Sequence, residues 1–215
     1  MSLLLVYFLS TTMGYAVGPF PRQSVDNLNT IISESALQVV ANVTNPPGNI
    51  AVSSGGRIFF TFHPVFKPRP IKVAELVDSV SVAFPDENFQ GNFDDVLSLR
   101  VDKQNRLWLL DHASGGVFGF KSPKFHVFML DQPFKGDSNL TFTYTFPRAV
   151  AALGSMLNDF QIDPAGKYAY IADTGILNNL PALVVLDIEK MISYRILPGH
   201  DCLFGNSYYL KVYHK

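Results

Sequence analysis

The sequence predicts an all-β chain, a partial β-propeller of about three to four four-stranded blades, and three observations carry that expectation. One phrase is written three times, at residues 49–60, 98–109 and 159–170. Each copy is an alternating apolar strand, a four-residue polar turn ending in Gly56, Asn105 or Gly166, a basic residue, and an apolar-aromatic strand. That is a β-hairpin with turn chemistry at a fixed offset. Aligned on Val52, Val101 and Ile162, the copies lie 49 and 61 residues apart, one propeller blade plus loop insertions. Between the copies run pairs of amphipathic segments, and no convincing long helix.

Residues 1–16 read as a secretory signal peptide. The apolar run 3–9 is too short to span a bilayer and is followed by Gly14-Tyr15-Ala16, with cleavage expected after Ala16. Residues 17–36 form a leader around Pro19-Phe20-Pro21-Arg22, and 37–215 the propeller domain. Residues 37–43 read as a strand placed to complete the last blade, and 45–48 as a turn. After the first hairpin, Lys67-Pro68-Arg69-Pro70 is a stiff loop, and strands are expected at 71–76 and 79–84. A polar loop at 86–95 leads to the second hairpin. Outer strands follow at 124–130 and 140–146, then at 181–188 and 192–197 beyond the third hairpin. The tail 207–214 reads as one further strand. A blade is therefore an inner hairpin carrying the repeated phrase and an outer hairpin of two amphipathic strands. A closed ring takes four to eight blades, so the expectation is a truncated propeller with open, apolar blade edges.

The composition is that of a globular β protein: 47% apolar, 13% aromatic with 18 Phe, and 16% charged. A net charge of −1 supplies no basic field for nucleic acid or an anionic membrane. No segment after the signal reaches membrane-spanning length, so an extracellular, secreted chain is expected. Asn42-Val43-Thr44 and Asn139-Leu140-Thr141 are sequons, making Asn42 and Asn139 glycan acceptors on that route. Cys202 is the only cysteine, which rules out an internal disulfide. Intermolecular contact through Cys202 or the open blade edges is one expectation for it, and burial of the thiol the other.

Several phrases carry a family resemblance: Pro47-Gly48-Asn49-Ile50-Ala51-Val52, then 101–111 from Val101-Asp102-Lys103 to Leu110-Asp111, then Leu157-Asn158-Asp159-Phe160-Gln161-Ile162-Asp163. With Tyr168-Ala169-Tyr170-Ile171-Ala172-Asp173-Thr174 and Leu183-Val184-Val185-Leu186-Asp187, they resemble the yellow / major royal jelly protein family of secreted six-bladed propellers. The likeness runs from about residue 37 to 203 and covers roughly the N-terminal half of a full member. It implies an extracellular ligand-binding or nutritive protein with no compact catalytic signature. Insect relatives are linked to melanin chemistry and dopachrome conversion, and salivary relatives bind biogenic amines through residues largely in later blades. A more distant likeness is to gluconolactonase-like propellers, which hold a divalent metal over the channel. It puts Gly48, Leu97 and Asn158 at the ligand positions, and only Asn158 offers an oxygen. No cofactor is therefore expected, and a divalent cation such as calcium is the one alternative, on a poor donor set.

The candidate ligand-binding residues are those the repeat brings to the channel mouth: Asn49, Asn158 and Asp159 opening inner strands, and Asp111 and Asp173 ending second strands. For each the competing role is a polar turn or strand-end cap. Asp111 and His112 could do acid/base work, but adjacent strand residues point to opposite faces, which favours capping. Asp86, Glu87, Asp94 and Asp95 lack calcium-loop spacing and read as a solvated loop. His63, His126, His200 and His214 show no metal-ligand spacing. Phe59, Trp108 and Tyr170 share one blade position and read as packing between blades. The function expected is non-catalytic binding of a small molecule. The alternatives are a metal-dependent lactonase or dopachrome-type tautomerase, and an inactive truncated product.

Overall fold

The structure, a computed structural model, describes residues 36, 38–62, 70–113, 121–130 and 139–204. The signal peptide, nearly all of the leader, the tail 207–214, His63 and His214 lie outside the described residues.

Among the described residues, twelve strands form three four-stranded antiparallel sheets, each a meander in chain order. The first sheet is β1 (Ile50–Val52), β2 (Ile58–Thr61), β3 (Val73–Val77) and β4 (Val80–Ala83). The second is β5 (Val96–Val101), β6 (Arg106–Asp111), β7 (Lys124–Met129) and β8 (Leu140–Thr145). The third is β9 (Leu157–Ile162), β10 (Tyr168–Asp173), β11 (Ala182–Asp187) and β12 (Ile192–Ile196). The first strands of the sheets touch one another, β1 against β5 and β5 against β9. The sheets thus fan outward from a common axis as propeller blades do, with β4, β8 and β12 outermost. The chain is a partial β-propeller with three described blades.

The repeated turn works as its residues require. Gly56, Asn105 and Gly166 all take positive φ, at 82°, 56° and 70°, where glycine and asparagine are the cheapest residues. The turn's first side chain then accepts from the backbone that follows. Ser53 Oγ accepts from Arg57 N (3.0 Å), Asp102 Oδ1 from Arg106 N (2.9 Å), and Asp163 Oδ1 from Tyr168 N (2.7 Å).

Packing between blades follows the column of Phe59, Trp108 and Tyr170. Phe59 is fully buried among Leu99, Leu107 and Phe128 under the second blade. Trp108 is fully buried among Phe125, Phe160 and Ile171 under the third, and its Nε1 donates to Asp102 Oδ2 at 2.8 Å. Tyr170 departs from the expectation of core packing, being 40% exposed. It sits on the same forward face, and no described blade follows to cover it.

Two local readings are corrected. Residues 38–43 form no strand and are mostly exposed, because no described strand offers them a ladder partner. The stretch read as a solvated polar loop is an ordered plug. Its one-turn 3-10 helix (Phe89–Asn92) sends Phe89, together with Phe93, into the core between the first two blades. Buried Gln90 spends its amide on Lys72 N, Val73 N and O, and Phe84 O. Polar residues had masked two buried rings.

Candidate functional site

Asn49, Ser98 and Asp159 stand three residues before the aligned Val52, Val101 and Ile162, so each occupies the same place on the first strand of its blade. The structure joins them through one side chain, Arg100. Arg100 Nη1 donates to Asn49 Oδ1 (2.9 Å) and to Leu99 O (2.7 Å). Arg100 Nη2 donates to both oxygens of Asp159, at 2.8 and 2.7 Å. Asp159 Oδ1 also accepts from Ser98 Oγ and from Phe160 N, while Asn49 Oδ1 accepts from Leu99 N. A charge-assisted fork therefore stitches three blades at the axis. Asp159 keeps 45% of its side chain exposed, against 23% for Arg100.

Asn158 beside it is the extra residue of a β-bulge. Asp173 pairs with Leu157 and Ala172 with Asp159, which leaves Asn158 unpaired and exposed. Leu97 is left unpaired in the same way between Val96 and Ser98. A bulge re-aims its side chain, so Asn158 and the outer edge of Asp159 form the solvent-facing polar surface here. Asn49 is tied into the network; Asn49, Asn158 and Asp159 are thus gathered at one end of the channel.

Asp111 and Asp173 are placed differently. Asp111 is fully buried. Its oxygens accept from Asp94 N (2.7 Å), Asp95 N (2.8 Å) and Ala113 N (3.1 Å), and His126 Nε2 lies 3.6 Å away. Burial alone would raise this carboxyl, but His126 and the three N–H groups outweigh it and hold it below its ordinary value. Asp173 repeats the arrangement, accepting from Met156 N (2.8 Å), Gly175 N (2.9 Å) and Arg195 Nη1 (2.5 Å). In the first blade Thr61 Oγ1 does a reduced version, accepting from Asn49 N at 3.1 Å. These residues are strand-end staples that turn inward, and the channel-mouth placement read from the sequence is corrected for both. His112 points away from Asp111, as strand alternation requires.

A hard dication does not fit the channel. Of Gly48, Leu97 and Asn158, only Asn158 carries a side-chain oxygen. The nearest carboxylate, Asp159, is already paired with the Arg100 guanidinium. One amide oxygen beside a fixed positive charge falls far short of the six or more oxygens calcium takes. Among the described residues no group of three His, Cys, Asp or Glu side chains could hold a metal ion.

Sequence reasoning missed Ser98 and Arg100. Ser98 was findable, being the residue that shares the column of Asn49 and Asp159. Arg100 occupies a column filled by Ala51 and Gln161 in the other blades, and nothing periodic marks it. The two sequons also separate. Asn42 is exposed, whereas Asn139 is buried at the start of β8. Cys202 is exposed rather than buried. Its sulfur lies 3.0 Å from His200 Nδ1, which also accepts from Cys202 N (3.2 Å). A histidine partner is thus in place beside the thiol, on the surface and away from the channel network. Among the described residues no helix is long and apolar enough to cross a membrane.

Sheets radiating from a polar axis define a propeller domain. Residues 95–200, which carry the second and third blades, match the family model for major royal jelly protein, and over this stretch the chain is similar to that family. No curated protein matches the sequence. Among solved structures, hydrazine synthase of Kuenenia stuttgartiensis is similar at 11% identity and a TM-score of 0.44, over 70% of this chain and 37% of that one. The extracellular domain of the putative hybrid two-component system BT3049 of B. thetaiotaomicron is 12% identical at a TM-score of 0.42, over 70% and 16%. The periplasmic gluconolactonase PpgL of Pseudomonas aeruginosa is 10% identical at 0.40, over 67% and 40%. The chain spans less than half the length of each.

Proposed function

We propose that this chain is a secreted small-ligand-binding propeller protein without catalysis of its own, and that Asp159 and Asn158 anchor the ligand at the channel mouth. The observation that carries the proposal is the half-exposed carboxylate of Asp159, fixed by Arg100 and Ser98 yet open on its outer side. A rigid carboxylate beside an exposed amide suits a ligand carrying a protonated amine and a hydroxyl, because both groups find acceptors. The lactonase alternative loses ground on its donor set.

Titrating the full chain with tyramine, by calorimetry and by melting shift, tests this. Saturable binding is expected, unchanged by chelator, with Asn158→Ala several-fold weaker at an unaltered melting temperature. Binding that vanishes with chelator would favour the metal-dependent reading, and no binding at millimolar tyramine would overturn the amine assignment. On the secretory route, Asn42→Gln is expected to remove a glycan and raise the electrophoretic mobility of the secreted chain. Asn139→Gln should leave mobility unchanged, because burial of Asn139 in the folded chain disfavours an occupied site; a shift for Asn139→Gln alone would reverse that assignment.

A further inference from the structure

Away from the channel network, His112 is a buried titratable group that the binding site does not use. His112 follows β6 on the face turned toward the third blade and is 8% exposed. Among the described residues neither of its ring nitrogens has a hydrogen-bond partner. Three carboxylates act on it: Asp95 from the loop before β5, Asp111 from the end of β6, and Asp173 from the end of β10. The neighbouring cations are engaged elsewhere. Arg195 holds Asp173, Lys121 holds Asp94, and Lys72 donates to Gln90 O and Phe93 O. A neutral imidazole is tolerated here at the cost of two idle nitrogens. An imidazolium has two donors that the packed junction does not satisfy.

We propose that His112 is a pH-sensitive element of the junction between the second and third blades, which stays closed while the ring is neutral and loosens when protonation turns it toward Asp95. Asp95 is suitably placed: its backbone oxygen already accepts from His112 N at 2.9 Å. Its carboxyl is raised by burial and by Asp111, and lowered by His112 itself. The direction is fixed by linkage. Burial depresses the folded-state pKa of His112 below its ordinary 6.5, against the pull of the three carboxylates. Its contribution to stability is therefore full above 6.5 and is lost as pH falls through the depressed value.

The chain carries its own reporter. Trp108 is the only tryptophan, and it is fully buried on the same face of β6 as His112, against the third blade. Tryptophan emission of the full chain, followed from pH 7.5 to 4.5, is expected to shift to longer wavelength in a single titration below 6.5. The melting temperature should fall over the same range. In His112→Gln, which cannot protonate, that titration should disappear. In Asp95→Asn, which removes a carboxylate favouring the charged ring, its midpoint should move lower. An unchanged titration in His112→Gln, or a wild-type spectrum flat across the range, overturns the proposal. Should His112→Gln fail to fold, the Asp95→Asn midpoint decides: a downward shift supports the assignment, and an unmoved midpoint overturns it.

Discussion

Asp111→Ala is expected to lower unfolding stability by about 3–5 kcal/mol, the range for breaking a buried charged network, seen as a lower urea midpoint at unchanged slope. The carboxylate is fully enclosed and is the acceptor for the N–H groups of Asp94, Asp95 and Ala113. Truncation leaves three backbone donors unpaired, that of Ala113 buried and those of Asp94 and Asp95 partly buried, and cuts the tie between the end of β6 and the plug that carries Phe89 and Phe93. Asp111→Asn keeps the volume but turns an amide toward N–H donors, so it should recover less than half of the loss. The pH dependence has a definite sign. The folded-state carboxyl lies below its ordinary 3.8, so its contribution is present above 3.8 and is lost as pH falls through the folded value. In Asp111→Ala that acid-limb component should be missing. A wild-type midpoint for Asp111→Ala would mean that the plug is held by its rings alone.

This staple also shows what was legible in the sequence. The outer strands were, because alternation alone sets them: segments expected at 124–130, 140–146, 181–188 and 192–197 appear as β7, β8, β11 and β12 to within about a residue. Turn residues set the inner hairpins equally well. Asp111 and Asp173 were legible as strand-end residues, but whether an aspartate faces the channel or the interior depends on a bulge. The bulges at Leu97 and Asn158 shift the register by one residue, which no alternation pattern records. The plug was misread for a related reason. Its polar residues outnumber Phe89 and Phe93, and Gln90 pairs with backbone brought close only by the fold. Tyr170 was misjudged because its column is buried only where a further blade follows.

At the channel the opposing roles of Arg100 and Asp159 give an expected result that structure and ligand share. Arg100→Ala removes a two-pronged pair to Asp159 and the bond to Asn49, which should cost about 2–3 kcal/mol given charge-assisted bonds at a partly exposed site. Arg100→Lys keeps the charge without the planar fork, so it cannot reach Asn49 and both oxygens of Asp159 together and should recover less than half. Arg100→Ala should act oppositely on binding. Without the guanidinium, the Asp159 carboxylate is no longer neutralised, and the attraction for a protonated amine rises. Tyramine should therefore bind Arg100→Ala several-fold more tightly than wild type at low ionic strength, the gain shrinking with added salt, measured by calorimetry below the variant's melting range. Stability and affinity moving in opposite directions identify Asp159 as both blade tie and ligand anchor. If Arg100→Ala loses stability while tyramine affinity stays unchanged, the Arg100–Asp159 fork is a structural tie only, and the ligand lies elsewhere on the propeller.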